Sequence, residues 1–384
     1  MIRSSQTWRT AGRKVFQELR SNTVGAVQHP SDGDTIDSTG NLETVPPYSH
    51  NGKSYPAGRA IMGSADGRKP NMMAFLEAQE TQAPISLDTS WLSAKHVDEF
   101  MQFLPVESSK RGWVMVVDDA RAGLRILQDA QQGGHGGIIA ASHAKSPGDP
   151  TEWRVNNTIN GLLGATNFTD FQEACARNID KNIDIMKQET GITDAEIIRV
   201  PALYQVYEDT VWTYSGDAKK QRRHAQVQVH HQKVKSLAGQ QGEKAVDDIT
   251  NRGGTQVLDV LQAGTPPRGS NNNKPADTTT AKSLSGRKTK TKTKTKGTGK
   301  KLAIALYPGT INSVVLANKQ IIAPNPWGPV INGSDVLAAE VSKAYKRVNY
   351  TVKYMDDWFT HHTNIGEVHC GSNVIRELEA VKWW

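Results

Sequence analysis

Residues 216–300 constrain this chain more than any other stretch, because they cannot contribute to a core. Hydrophobic periodicity stops near Ser215. From Asp217 to Lys300 the sequence is rich in Gln, Lys, Gly, Asn and Thr, with Asn271-Asn272-Asn273 and the alternation Lys288-Thr289-Lys290-Thr291-Lys292-Thr293-Lys294. A segment so poor in apolar side chains buries too little surface to offset the entropy of ordering it, a few helical turns around Val246 to Leu261 excepted. The fold must therefore be assembled from two ordered pieces on either side of a disordered insertion. Residues 1–384 read as one domain, interrupted at 216–300.

The insertion also carries the charge. The chain has 384 residues and a formal net charge of +7, which by itself would invite a nucleic-acid reading. Eight Lys/Arg residues and no acid fall between Gly286 and Lys301; without them, 38 bases face 39 acids. The globular remainder is nearly neutral, so nothing in it asks for a polyanion. The Lys-Thr run reads as a solvated loop, with binding of nucleic acid or another polyanion, or a localisation signal, as its alternatives. No apolar run approaches the roughly 18 residues that span a membrane. Met1-Ile2-Arg3-Ser4-Ser5 has no apolar signal-peptide core, and two cysteines, Cys175 and Cys370, exclude a disulfide framework. A reducing, cytoplasmic compartment is expected, with no membrane partner.

On either side of the insertion the periodicities alternate. Asn71 to Gln79 predicts a helix, Ile85 to Leu87 a strand, Trp113 to Val117 a buried strand and Ala120 to Gln131 a helix. Gly133-Gly134-His135-Gly136-Gly137 predicts a surface turn. Thr169-Asp170-Phe171-Gln172 has the form of a capping box. It would open a helix running to about Gln188, with Phe171, Cys175, Ile179, Ile183 and Met186 on its inner stripe, so Cys175 belongs to the core. Ile197 to Tyr204 predicts a strand. After the insertion come strands at Leu302 to Leu306, Asn312 to Leu316 and Gln320 to Ala323, then a helix capped by Ser334 with Leu337, Val341, Ala344, Tyr345 and Val348 on one face. A strand at Tyr350 to Tyr354 completes a strand-strand-helix-strand unit, which should stack with others of its kind. Strands alternating with helices in this way imply an α/β fold.

Three stretches carry candidate chemistry. Glycines flank Glu367-Val368-His369-Cys370, so the backbone can turn sharply there; Cys370 reads either as a small buried hydrophobe or as a nucleophilic thiolate with a partner elsewhere. His96 and Asp98 lie two residues apart and would share a face in an extended segment, whereas in a helix they would diverge. Asp37-Ser38-Thr39-Gly40-Asn41-Leu42-Glu43 reads as a surface turn or as an oxygen-rich loop for a hard cation. His361, His362, His369 and Cys370 include the side chains zinc prefers, but their crowding matches no usual ligand spacing. A cysteine peptidase would also draw on cysteine, histidine and a carboxylate.

Taken together, His96-Val97-Asp98-Glu99-Phe100 and Gly366-Glu367-Val368-His369-Cys370-Gly371-Ser372-Asn373 resemble the protein-arginine deiminases. The resemblance extends to Asp37–Glu43, Tyr55-Pro56-Ala57-Gly58-Arg59, Pro326-Trp327-Gly328-Pro329-Val330-Ile331-Asn332-Gly333, Asp357-Trp358-Phe359-Thr360 and Lys382-Trp383-Trp384, covering roughly 1–213 and 301–384.

It implies the pentein fold, an α/β propeller of five strand-strand-helix-strand units, here incomplete. It implies hydrolysis of peptidyl-arginine in protein substrates to peptidyl-citrulline, with release of ammonia. By position, Cys370 corresponds to the nucleophile, His96 to the general acid/base and Asp98 to a carboxylate that grips the guanidinium. Arg9 corresponds to a residue that binds the substrate backbone. Thr39, Leu42 and Glu43 correspond to part of a calcium site. The family's second guanidinium-binding aspartate lies in a segment upstream of this sequence, so the chain is expected to begin inside the catalytic domain. An inactive or truncated relative that only binds arginine peptides, and a free-arginine or agmatine deiminase, are the alternatives.

Overall fold

Three-stranded sheets recur along the chain, and each is wired in the same way. The computed structural model describes residues 2–4, 14–22, 26–28, 35–80, 82–143, 155–207, 209, 211–212, 301–372 and 374, all within one folding unit. The insertion at 216–300 and Arg9 lie outside the described residues.

The first sheet contains β1 (Leu42–Val45), β2 (Arg59–Ser64) and β3 (Ile85–Asp88), with helix α1 (Asn71–Glu77) connecting β2 to β3. Strands β1 and β2 are antiparallel, whereas β3 runs parallel to β2. The second sheet repeats this plan with β4 (Met101–Pro105), β5 (Trp113–Asp119) and β6 (Ile197–Pro201). Its crossover includes α2 (Ala120–Ala130) and the long α3 (Phe168–Thr190). The third sheet has β7 (Val314–Leu316), β8 (Gln320–Pro324) and β9 (Thr351–Met355), with α4 (Val336–Lys346) before its last strand. In each sheet the second strand is central, and the parallel pairing requires the helical crossover. The strand-strand-helix-strand unit expected for the C-terminal part is therefore present three times, in a mixed α/β fold of small sheets.

Alternation along the strands explains how the sheets stack. In β5, Trp113, Met115 and Val117 enter one core cluster, while Val114 and Val116 enter another. Side chains on successive strand residues point to opposite faces, so this sheet is covered on both sides and its sequence is continuously apolar. One face packs on α3 through Cys175, Ile179, Ile183 and Met186. The other meets α4 through Val341, Ala344 and Tyr345, together with Ile321 and Ala323 of β8. Each fully buried side chain of this kind contributes about 1.5–3 kcal/mol. Helix α3 stops at Gly191, whose φ of +68° and N–H bond to the Lys187 carbonyl form a left-handed cap.

Several local expectations shift. The Thr169 capping box does not form: Asn167 precedes the helix in a left-handed conformation, and Gln172 instead clamps Tyr204, donating from Nε2 to its carbonyl (2.8 Å) and accepting its N–H (2.9 Å). The cap of α4 is Asp335 and not Ser334, because the Asp335 Oδ1 accepts the N–H groups of Leu337 and Ala338. The strand expected over Ile197–Tyr204 is two strands, Ile197–Pro201 and Tyr204–Val206, in different sheets. They part where Ala202 crosses Gly123, at which a side chain would come within 2.2 Å of the Ala202 carbonyl oxygen. Gly133 to Gly137 is a turn continuing α2, exposed at Gly133, Gly134 and Gly137 and buried at Gly136, with Gly134 at a φ of +85°.

Candidate active site

The site is built where the ends of these units converge. Segment Ile311-Asn312-Ser313, just before β7, is held by buried Gln102 of β4. The Gln102 Nε2 donates to the carbonyls of Ile311 (3.3 Å) and Ser313 (3.2 Å) and to the Ser313 hydroxyl (2.9 Å). This places Asn312, 1% exposed, between two loops. Its Oδ1 accepts the N–H of His369 (3.1 Å) and of Cys370 (3.3 Å) and lies 3.6 Å from the Cys370 Sγ. Its Nδ2 donates to the Asp98 carbonyl (3.4 Å). Asn312 thus bolts the cysteine loop to the His96–Asp98 turn.

That turn is not a strand. His96 is extended, but Val97–Glu99 form a 3-10 turn, closed by the Glu99 carboxylate accepting the His96 N–H at 3.0 Å. The turn still brings His96 Nδ1 within 3.9 Å of Asp98 Oδ1. His96 Nε2 lies 2.8 Å from the Thr35 carbonyl oxygen, which can only accept, so Nε2 carries a proton and Nδ1 is the ring nitrogen turned toward Asp98. Beneath both residues runs the Thr39-Gly40-Asn41 turn. A side chain at Gly40 would lie 2.7 Å from Asp98 Oδ2 and 2.8 Å from His96 Nδ1. Fully buried Asn41 fixes that turn by bonding Ile36, Gly63 and Val97 backbone groups.

Asp98 is 2% exposed, and its two oxygens are used unequally. Oδ2 takes a 2.7 Å hydrogen bond from the Nδ1 of His369, whereas Oδ1 has no hydrogen-bond partner. The bond to Asp98 raises the His369 pKa above its ordinary value, partly opposed by burial. His369 and Asp98 therefore form a charge-assisted pair.

Cys370 is exposed, contrary to the reading of it as a buried hydrophobe, while Cys175 is buried in the core. The Cys370 sulfur is nonetheless crowded by protein atoms. Loss of hydration, followed by the charge of Asp98, pushes its thiol up to about 12. Among the described residues, no hydrogen bond joins His96 to Cys370; Asp98, its backbone and Asn312 link the two halves. In this form the site holds a protonated thiol beside an anionic carboxylate, an arrangement that an incoming cation would convert toward thiolate.

Behind the cysteine loop lies a second buried group. His362 Nδ1 is 2.8 Å from Glu367 Oε1, and burial takes the His362 pKa down to about 4. Burial pushes Asp357 and Glu367 each up to about 8, and for Asp357 the neighbouring Glu367 adds to the effect. Asp357 Oδ1 and Oδ2 and Glu367 Oε2 have no ordinary hydrogen-bond donor. Two acceptors facing each other become bonded only by a shared proton, which the burial of both carboxyls favours.

Cys370, His96 and Asp98, the three expected from the sequence, lie around Asn312 and the Thr39–Asn41 turn. The sequence marks His369 only as a zinc-type side chain and a member of the Gly366–Asn373 motif, and Asn312 only as a strand residue. His369 instead pairs with Asp98, and His362 with Glu367; among the described residues, no group of three or more His, Cys, Asp or Glu side chains is arranged to hold a metal. Asp37, from the proposed cation loop, is buried and accepts the Asn71 N–H at 2.7 Å, fixing the start of α1. Thr39, Leu42 and Glu43 occupy the turn and the start of β1, and Glu43 is near enough to raise the His369 pKa.

Comparison with known proteins gives the family. A family model for protein-arginine deiminase matches residues 1–240 and 279–384, leaving out only part of the polar insertion. The chain is 26% identical over 356 residues to protein-arginine deiminase type-4 of Homo sapiens, covering 91% of this chain and 39% of that protein. It is 26% identical over 355 residues to the type-3 protein of Mus musculus (91% and 39%) and 25% identical over 356 residues to the type-1 protein of Homo sapiens (91% and 38%). The chain thus spans about two-fifths of the length of the curated relatives it matches. With matching sequence on both sides of the insertion, this chain belongs to the protein-arginine deiminase family.

Proposed function

We propose that the site hydrolyses the guanidinium of arginine residues in proteins to citrulline, releasing ammonia. The observation that carries this reading is a buried carboxylate with an unpartnered oxygen, Asp98, bolted through Asn312 to an exposed thiol, Cys370. A guanidinium carbon is a weak electrophile, and sulfur is the strongest nucleophile among the side chains. Asp98 would take the guanidinium N–H groups and hold its carbon in line with the Cys370 sulfur. Cation binding would cancel the carboxylate charge that helps hold the thiol protonated, and its proton would leave for the free Nδ1 of His96. Sulfur attacks the guanidinium carbon; the carbon–nitrogen bond breaks as His96 returns a proton to the departing ammonia, leaving a thiouronium. His96 then accepts a proton from water, whose oxygen displaces sulfur and gives citrulline.

In this reading Arg9 holds the substrate backbone, residues 216–300 form a polar insertion in one catalytic domain, and the repeated units belong to a pentein propeller. The location is cytoplasmic; no helix among the described residues is long and apolar enough to cross a membrane. Calcium is the implied cation. The Thr39 and Leu42 carbonyls and the Glu43 carboxylate have the hard-oxygen chemistry it prefers, but three donors fall short of its usual six to eight, so water or other parts of the chain must complete the set. Bound there, it would supply charge that orders the turn under His96 and Asp98.

The test is mass spectrometry of a blocked arginine peptide incubated with the whole chain, with and without calcium. Conversion to citrulline without new peptide ends, lost in Cys370→Ser, supports the reading. The high thiol pKa favours a second reading, an arginine-peptide binder without turnover, which predicts peptide binding and no ammonia in every condition. Faster turnover of free arginine or agmatine than of the peptide would move the substrate class.

A further inference from the structure

The carboxylate assigned to the substrate is already occupied. His369 donates from Nδ1 to Asp98 Oδ2 at 2.7 Å. Its side chain is 30% exposed while that of Asp98 is 3% exposed, so the ring reaches the carboxylate from the solvent side and covers it. Gly40 packs close to the same oxygen and leaves no room there, since even a methyl group on it would come within 2.7 Å of Oδ2. The His369 backbone is pinned, with its N–H on Asn312 and its carbonyl accepting from the Ser372 N–H and hydroxyl. Only the ring is left to move. Asp98 Oδ1 meanwhile has no hydrogen-bond partner.

We infer that His369 is an internal stand-in for the substrate cation, which an arginine side chain must displace from Asp98 before Cys370 can react. The inference rests on the deiminase reading of the site and adds a specificity device to it. Imidazole offers Asp98 a single N–H, whereas guanidinium offers two in parallel and can use both carboxylate oxygens. A planar bidentate cation therefore outcompetes the ring. An ammonium such as lysine, a single point charge, gains no advantage over it. The exchange bond also lies next to the nucleophile, so clearing His369 from Asp98 opens the approach to the adjacent Cys370.

The experiment compares wild type with His369→Asn and His369→Gln, reading the affinity for a blocked arginine amide by titration calorimetry, and KM and kcat where turnover occurs. The stand-in role predicts about tenfold tighter arginine binding in His369→Asn, the equivalent of one charge-assisted hydrogen bond no longer in competition. It also predicts that inhibition by the matching lysine amide strengthens by at least as much. The glutamine variant, which can restore one N–H, should fall between. Unchanged or weaker arginine binding in folded variants overturns the inference, as does a loss of kcat alone. Should neither variant fold, histidine-ring NMR of the wild type decides: the His369 signals must move when the arginine amide is added, and their constancy at saturation overturns the proposal. If the wild type itself neither binds nor converts the arginine amide, it is the deiminase reading that has failed.

Discussion

Replacing Asn312 with alanine tests the bolt between the two halves of the site. The amide oxygen accepts two backbone N–H groups, from His369 and Cys370, and the amide nitrogen donates to the Asp98 carbonyl. At about 1 kcal/mol net per hydrogen bond, truncation removes about 3 kcal/mol, and the side chain is 1% exposed, so water cannot freely replace it. For a body of about 300 residues, at about 2.1 cal/mol/K of unfolding entropy per residue, about 1.6 °C per kcal/mol is expected, giving a melting-point drop of about 5 °C. The chemical cost is larger in proportion, because displacing a nucleophile by about 1 Å costs about a hundredfold in rate. Asn312→Asp separates the two effects. It keeps an acceptor for the loop N–H groups and loses only the donor, so melting should fall by less. A carboxylate next to the sulfur would raise the thiol pKa further, so kcat should fall at least as far as in the alanine variant. Scanning calorimetry and citrulline release measure the pair. Asn312→Ala with unchanged melting point and unchanged kcat/KM would refute the reasoning.

Gly40→Ala drives a methyl group into Asp98 and His96, so about 1–3 kcal/mol of stability and most activity should be lost; a variant that melts and turns over normally would show that the turn yields at no cost. With the Cys370 thiol up at about 12, iodoacetamide labelling of the free protein should accelerate about tenfold per pH unit from 7 to 10, and a plateau below pH 9 would contradict that environment. Burial raises Asp357 to about 8 from an ordinary value near 4, so the folded chain holds a proton that the unfolded chain releases between those values. Its contribution is full below about pH 4 and is lost as pH rises through 8. Asp357→Asn, which mimics the protonated carboxyl, should flatten the fall in melting temperature between pH 5 and 8, and an unaltered slope would place the titration elsewhere.

Much of this architecture was legible because it is local. The third unit could be drawn from Asn312 to Tyr354 because apolar runs mark its strands and Leu337, Val341, Ala344 and Tyr345 mark a helix face. Capping was less so: Ser334 and Asp335 are both good caps, and which one serves depends on a third contact, from Asp335 to the Gly328 N–H. His96 and Asp98 lie close for a geometric reason other than the strand alternation expected, since a 3-10 turn brings them within 3.9 Å. The roles of His369 and Asn312 were hidden, because each is defined by a contact to Asp98 across more than 200 residues. Nothing in either residue's neighbourhood announces such a partner.

The chain returns from residue 301 beside the place it left. Tyr204–Val206 pairs antiparallel with Ala303–Ala305, the Tyr207 N–H meets the Leu302 carbonyl at 2.8 Å, and the buried Trp212 ring N–H meets the Leu306 carbonyl at the same distance. These contacts act as a clasp, so closing the intervening loop costs only about 0.6 kcal/mol for each doubling of its length. Over evolutionary time the intervening segment is free to grow, shrink or drift in composition while the body that carries the clasp is unaffected. In the laboratory the same clasp marks a place to cut: polypeptides ending and beginning there should re-associate when co-expressed, giving a two-piece protein whose Cys370 and His96 arrive on separate chains.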